Sequence, residues 1–116
     1  MAEATKEGKS ALVDSSVPFE PAGMIEYSEG SIVSREILKN KAGSITLFAF
    51  DKGQGLSEHT APFDAVVSVL EGNAEVIIDG NNITTGAGKT VIMPADVPHA
   101  IEAQERFKMM LVMIRG

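Results

Sequence analysis

The chain of 116 residues has no cysteine and no tryptophan. Without cysteine it has no disulfide framework, no thiolate metal site and no thiol nucleophile. It also lacks any apolar stretch near the roughly 20 residues that a membrane helix requires. Basic residues are few, with 10 Lys and Arg against 16 Asp and Glu. The net charge of −6 repels polyanions, so a nucleic acid is not an expected partner, and the missing apolar stretch argues against a membrane.

The first part of the chain differs in composition from the rest. Residues 1–22 are rich in Ala, Ser, Lys and Glu, show no apolar periodicity and end near Pro18 and Pro21, which indicates an arm rather than a core element. The arm has no apolar signal core, so the sequence predicts a cytoplasmic protein. Residues 23–116 are long enough for one domain with one core.

From Gly23 onward the pattern is typical of an all-β fold. Short β-rich runs are broken by Gly, Asn, Asp and Pro every 8 to 12 residues or so, the spacing of a sandwich or barrel. Turn-forming residues at Glu71-Gly72-Asn73 and Asp79-Gly80-Asn81-Asn82 predict two chain reversals. A helix over Ser34–Asn40 is the one alternative. The predicted strands are 31–38, 43–51, 64–71, 74–79, 90–93, 98–103 and 106–115.

Two runs are apolar on both faces instead of alternating. They are Val66–Leu70 and Met109–Ile114. A strand of this kind is buried on the barrel side and also against another sheet or subunit. The last strand would place Met109, Leu111 and Met113 on one face, and this pattern favours a homodimer.

Two segments resemble the conserved motifs of the cupin superfamily. The first is Gly53-Gln54-Gly55-Leu56-Ser57-Glu58-His59-Thr60-Ala61-Pro62, closing at Gly72. The second is Gly88, five residues, Pro94-Ala95-Asp96, two residues and His99. Asp96 stands where the family usually has glycine, and Asp tolerates the left-handed conformation well. The resemblance implies an all-β cupin double-stranded β-helix, or jelly-roll barrel, commonly dimeric and with a pocket at one open end.

The resemblance also implies where a metal would be bound. The family's four ligand positions correspond to His59, Ala61, Ala65 and His99, so half of the ligand set is missing. Zn, Fe, Mn or Ni generally requires three or more protein ligands. Asp64 could complete the set with His59 and His99 if a β-bulge turned it inward.

The two histidines allow three interpretations. They hold a divalent metal with Asp64, they line a metal-free pocket in which an imidazole orients a ligand or moves a proton, or they are polar residues satisfied by backbone carbonyls. We therefore expect a small-molecule-binding cupin with His59 and His99 as ligand-binding residues. The alternative is a metal-dependent enzyme of the dioxygenase or isomerase type, and a third possibility is a structural homodimer. The residues do not decide whether the protein is an enzyme.

Overall fold

The computed structural model describes residues 13–115, and these residues form β-strands and one short 3₁₀ helix, Pro21–Met24. This confirms the all-β prediction. Within residues 13–115 the chain forms no helix with the length and apolar content that a membrane crossing needs. The strands are β1 (Ile32–Asn40), β2 (Gly43–Phe50), β3 (Gly55–His59), β4 (Asp64–Glu71), β5 (Asn73–Ile78), β6 (Asn81–Gly86), β7 (Thr90–Met93), β8 (His99–Glu102) and β9 (Phe107–Ile114).

The strands form two antiparallel sheets. One has five strands in the order β1-β2-β9-β4-β7, and the other has four in the order β3-β8-β5-β6. Alternate apolar side chains of both sheets meet in the main core, where the rings of Phe50 and Phe107 stack at 4.5 Å. Burying each such large apolar side chain contributes about 1.5–3 kcal/mol. The arrangement is the predicted jelly-roll barrel.

The outer face of the five-stranded sheet carries a second apolar cluster. Ile37, Leu47 and Ala49 are buried there beneath Ile25, which precedes β1. The chain's own N-terminal segment therefore covers part of the second apolar face that the sequence predicted. The arm was predicted over residues 1–22, and residues 1–12 lie outside the described part of the chain.

Seven strands lie where the sequence predicted them, and β3 and β6 were not predicted. Both missed strands are at edges of the four-stranded sheet and carry few apolar side chains. The helical alternative over Ser34–Asn40 is wrong, because these residues belong to β1. The register shift between Glu36 and Leu38 marks a β-bulge, and Ile37 at that bulge packs into the outer cluster.

Only one of the two predicted reversals is a hairpin. Asp79 and Gly80 both have positive φ and connect β5 to β6, as a two-residue turn requires. Gly72 also has positive φ, but it joins strands of different sheets, so that prediction is wrong. A Cβ at Gly72 would overlap the carbonyl oxygen of Arg106, which explains the glycine there. Asp96 has a φ of 62°, as its place in the second motif predicted.

Candidate functional site

The two histidines lie side by side although 40 positions separate them in the sequence. His59 ends β3 and His99 begins β8, and the two residues are directly paired across the antiparallel strands. Paired residues of neighbouring strands project from the same face of a sheet. The ring centroids are 4.4 Å apart, with the planes at 70°. The predicted convergence of the imidazoles is confirmed.

Backbone carbonyls orient both rings in the same way. The Nδ1 atom of His59 lies 2.8 Å from the carbonyl oxygen of Ser57, and that of His99 lies 3.1 Å from the carbonyl oxygen of Val97. A carbonyl oxygen accepts only, so Nδ1 carries the proton and donates in each ring. In the neutral rings both Nε2 atoms are therefore lone-pair acceptors.

The imidazoles face a cavity between the two sheets. It offers about 60 Å³ to the centres of water-sized molecules, more than the roughly 10–15 Å³ that one buried water needs. His99 is buried, whereas His59 is exposed at the mouth. The other lining residues are all apolar: Leu56, Ala61, Phe63, Ala65, Met93, Ile101, Leu111 and Met113.

The structure does not bring Asp64 to the histidines. Asp64 and Ala65 pair in regular register with β9, so no bulge turns the carboxylate inward, and Ala65 is the residue that lines the cavity. The Asp64 carboxylate instead accepts a hydrogen bond of 2.9 Å from the Ala95 N–H. The three-ligand set of His59, Asp64 and His99 is therefore not assembled.

The remaining donors do not fit the metal site that the fold family implies. Methyl groups occupy the two other ligand positions, Ala61 and Ala65. Over residues 13–115 no group of three His, Cys, Asp or Glu side chains lies close enough to hold a metal ion. Two imidazoles are fewer donors than Zn, Fe, Mn or Ni generally requires.

The strongly shifted pKa values belong to groups outside the cavity lining. The Arg106 guanidinium lowers the pKa of Asp51 to about 2 through a hydrogen bond, and burial followed by a hydrogen bond to Glu71 raises the pKa of Tyr27. Asp51 and Arg106 hold the loop after β2 to the start of β9. These shifts have structural causes and do not mark a second site.

The family resemblance implied the inward positions 59, 61, 65 and 99, and all four residues line the cavity, but it did not identify the other walls. Leu56, Met93 and Ile101 come from three further strand positions. The alternation of side chains along a strand gives the face of each residue within that strand. Which residues meet across the barrel depends instead on which strands pair. For Leu111 and Met113 the sequence did contain a signal, because these residues share one face of the last predicted strand.

Two facing antiparallel sheets with a histidine pair in a pocket between them define a cupin-type jelly-roll barrel. The Cupin_2 family model, described as a cupin domain, matches residues 46–115. This match covers more than half of the chain, so the chain belongs to the cupin-domain family. No curated protein matches it.

Solved structures with the same fold come from several bacteria. A conserved protein of unknown function from Streptococcus pyogenes is 32% identical over 92% of this chain and 94% of its own, with a TM-score of 0.87. A cupin 2 conserved barrel domain protein from Leptotrichia buccalis is 38% identical over 81% of this chain and 46% of its own, with a TM-score of 0.79. A cupin superfamily protein from Desulfitobacterium hafniense is 26% identical over 94% of this chain and 100% of its own, with a TM-score of 0.86.

Proposed function

We propose that this cupin binds a small, largely apolar molecule that carries a hydroxyl group, in the cavity around His59 and His99. The supporting observation is the pair of imidazoles, each with Nδ1 bound to a carbonyl, in an otherwise apolar lining. Pockets of this composition take up apolar ligands and use a few polar groups for orientation. A hydroxyl proton matches the lone pair that each neutral imidazole offers.

The ligand needs a polar group because a wholly apolar molecule in the cavity would leave His99 without a hydrogen-bond partner. An apolar molecule that displaces water leaves the buried Nε2 acceptor without a partner. An unpaired buried acceptor costs about 1–3 kcal/mol, whereas a ligand hydroxyl supplies the missing hydrogen bond. The cavity therefore selects for a hydrogen-bond donor on an apolar body.

The alternative of a dioxygenase or isomerase with Asp64 as third ligand has no support, because Asp64 is bonded to the Ala95 backbone. Proton transfer by an imidazole is compatible with the same pocket, since a neutral Nε2 can accept a proton. The cytoplasmic location stays a prediction from the sequence.

The test compares phenol with toluene, because the two differ by a hydroxyl in place of a methyl group. Ligand-observed NMR on metal-free protein should show saturable phenol binding and toluene binding weaker by about tenfold, equivalent to about 1.4 kcal/mol. His99→Leu should abolish this preference, because it removes the buried acceptor. Glu58→Gln is the matched control, since Glu58 is exposed on β3 and does not line the cavity. Equal binding of phenol and toluene by the wild type would refute the proposal.

We also propose that two copies associate through the outer face of the five-stranded sheet. One side chain from each strand forms a continuous row across that face, through the direct pairs Leu38–Ile45, Ile45–Val112, Val112–Val66 and Val66–Ile92. We call these five residues the outer row. Leu38 and Ile92 are 40% and 60% exposed.

Charge favours a second copy as the occupant of the outer row. The chain carries a net charge of −6, yet the row contains no charged side chain. Two copies can therefore meet there without placing like charges opposite each other. An interface of this kind is isologous, with the same patch used on both subunits.

A further inference from the structure

Two thioethers share the cavity with the two imidazoles. Met93 on β7 and Met113 on β9 each pair directly with Ala65 on β4, one on either side. Both line the same cavity as His59 and His99. Met93 is buried, at 3% exposure. The position where the family resemblance implies a carboxylate thus presents a methyl group flanked by two sulfur-containing side chains.

This donor set is soft. Thioether sulfur selects Cu(I), and imidazole is a good copper ligand, whereas carboxylate and water oxygens suit harder cations. The cavity lining includes no carboxylate. A site of two imidazoles and two thioethers therefore excludes the ions that the family's carboxylate would favour, and it matches a soft monovalent cation.

The histidine geometry supports metal ligation through Nε2. Ligating histidines almost always donate their other ring N–H to a carboxylate, a carbonyl or water, which fixes the tautomer and the ring orientation. The Ser57 and Val97 carbonyls provide this support for His59 and His99. Neither Nε2 has a protein hydrogen-bond partner within residues 13–115, so two lone pairs are available in one cavity.

We propose that His59, His99, Met93 and Met113 bind one Cu(I) ion. The proposal rests on the proposed function only in that both use the same cavity. The hydroxyl-bearing ligand needs the imidazoles, whereas the copper ion also needs the sulfur atoms. Binding forms bonds from Nε2 and sulfur lone pairs to the ion. It displaces no proton from the rings, because each ring proton is on Nδ1.

The experiment titrates the full chain with Cu(I) under anaerobic conditions, in competition with the chromogenic chelator bicinchoninate. The expected result is one Cu(I) per chain. Met93→Leu and Met113→Leu should each weaken Cu(I) binding by at least ~10-fold. Loss of a residue that only supports a metal ligand already costs that much, and here a ligand itself is lost. Leucine conserves volume, so these variants should fold. Met110→Leu is the control, because Met110 is on the same strand as Met113 but packs in the outer cluster.

A second readout identifies the donor atoms. X-ray absorption at the copper edge should show sulfur scatterers in the wild type and none in the double variant Met93→Leu/Met113→Leu. Failure of the wild type to take Cu(I) from the chelator, or unchanged affinity in both single variants, would overturn the proposal. Phenol binding by the metal-free wild type separates the two proposals: if the wild type binds phenol but takes no Cu(I), the copper site is refuted and the proposed ligand pocket stands.

Discussion

At the scale of single residues, the Asp51 side chain connects the end of β2 to the segments that precede β1 and β9. Its carboxylate accepts hydrogen bonds from the Gly30 N–H at 2.6 Å and from Arg106 Nε at 2.8 Å. These bonds favour the charged form and lower the pKa of Asp51 from 3.8 to about 2, with the Arg106 bond as the largest cause. Asp51 therefore stabilises the fold only while it is ionised.

We predict that Asp51→Asn lowers the stability of the protein in a pH-dependent way. The folded pKa lies below the unfolded one, so the stabilisation is fully present above about pH 4 and is lost as the pH falls toward 2. Urea unfolding of wild type and variant between pH 7 and pH 3 measures this difference. A difference that grows as the pH falls would contradict the assignment.

A second contact at this scale joins the N-terminal segment to the five-stranded sheet. The Tyr27 hydroxyl donates a hydrogen bond of 2.6 Å to the Glu71 carboxylate. Lys108 Nζ lies 5.1 Å from the centre of the Tyr27 ring and donates to the Ala22 carbonyl.

Tyr27→Phe should destabilise the protein by about 1–2 kcal/mol, the size expected for a hydrogen bond to a charged acceptor that is partly exposed. Tyr27→Leu should cost more, because it also removes the ring that Lys108 and Arg106 face. Thermal unfolding of both variants provides the comparison. Equal stability of Tyr27→Phe and wild type would mean that water replaces the bond without loss.

At the scale of strands, the start of β2 depends on a close backbone approach. A Cβ at Gly43 would overlap the carbonyl oxygen of Met113 on the neighbouring strand β9. Any side chain there must push the two strands apart.

Gly43→Ala should therefore destabilise the protein by roughly 3 kcal/mol, as overpacking against backbone does. Gly23→Ala is the control, because nothing lies within 4 Å of a Cβ at that position. Denaturant unfolding should show a large loss for the first and little change for the second. A neutral Gly43→Ala would show that the β2–β9 register can shift.

The apolar content and pairing of the strands explain which elements could be predicted from the sequence. β4 and β7 were predicted at their observed bounds because apolar runs end at strong turn residues. β3 and β6 were missed because their side chains are largely exposed and each strand has a single large apolar residue, whereas the edge strands β1 and β7 carry apolar runs. The helical alternative for β1 failed because pairing with β2 overrides local propensity.

The candidate site was also predictable only in part. The two motifs, through the family resemblance, predicted the histidine pair and the two alanines that line the cavity with it. They could not predict that Met93 and Met113 flank Ala65, because that juxtaposition depends on the pairing of β4 with β7 and β9. Asp64 was hypothesised to turn inward, and the regular register of β4 at that point prevents it.

At the scale of the whole molecule, the cavity and the outer row lie on opposite faces of the same sheet. Met113 lines the cavity, while its neighbour Val112 belongs to the outer row. The proposed association through the row and the proposed binding in the cavity are therefore separable by mutation.

We predict that Ile92→Glu shifts the protein from dimer to monomer, because it places a carboxylate in the apolar row. Ile83→Glu is the matched control, since Ile83 is also an exposed apolar residue but lies on β6 of the other sheet. Sedimentation velocity should give a dimer for wild type and control. A monomeric wild type, or equal effects of both substitutions, would contradict the proposed interface.

Ligand binding as proposed requires that His59 and His99 both offer an Nε2 lone pair to one apolar cavity. Nitrogen-15 NMR of histidine-labelled protein near pH 8 tests it most directly. We expect the Nδ1–H tautomer for both His59 and His99, a nuclear Overhauser contact between the rings, and movement of both Nε2 signals when phenol is added. An Nε2–H tautomer at either residue, or two rings without a mutual contact, would contradict it.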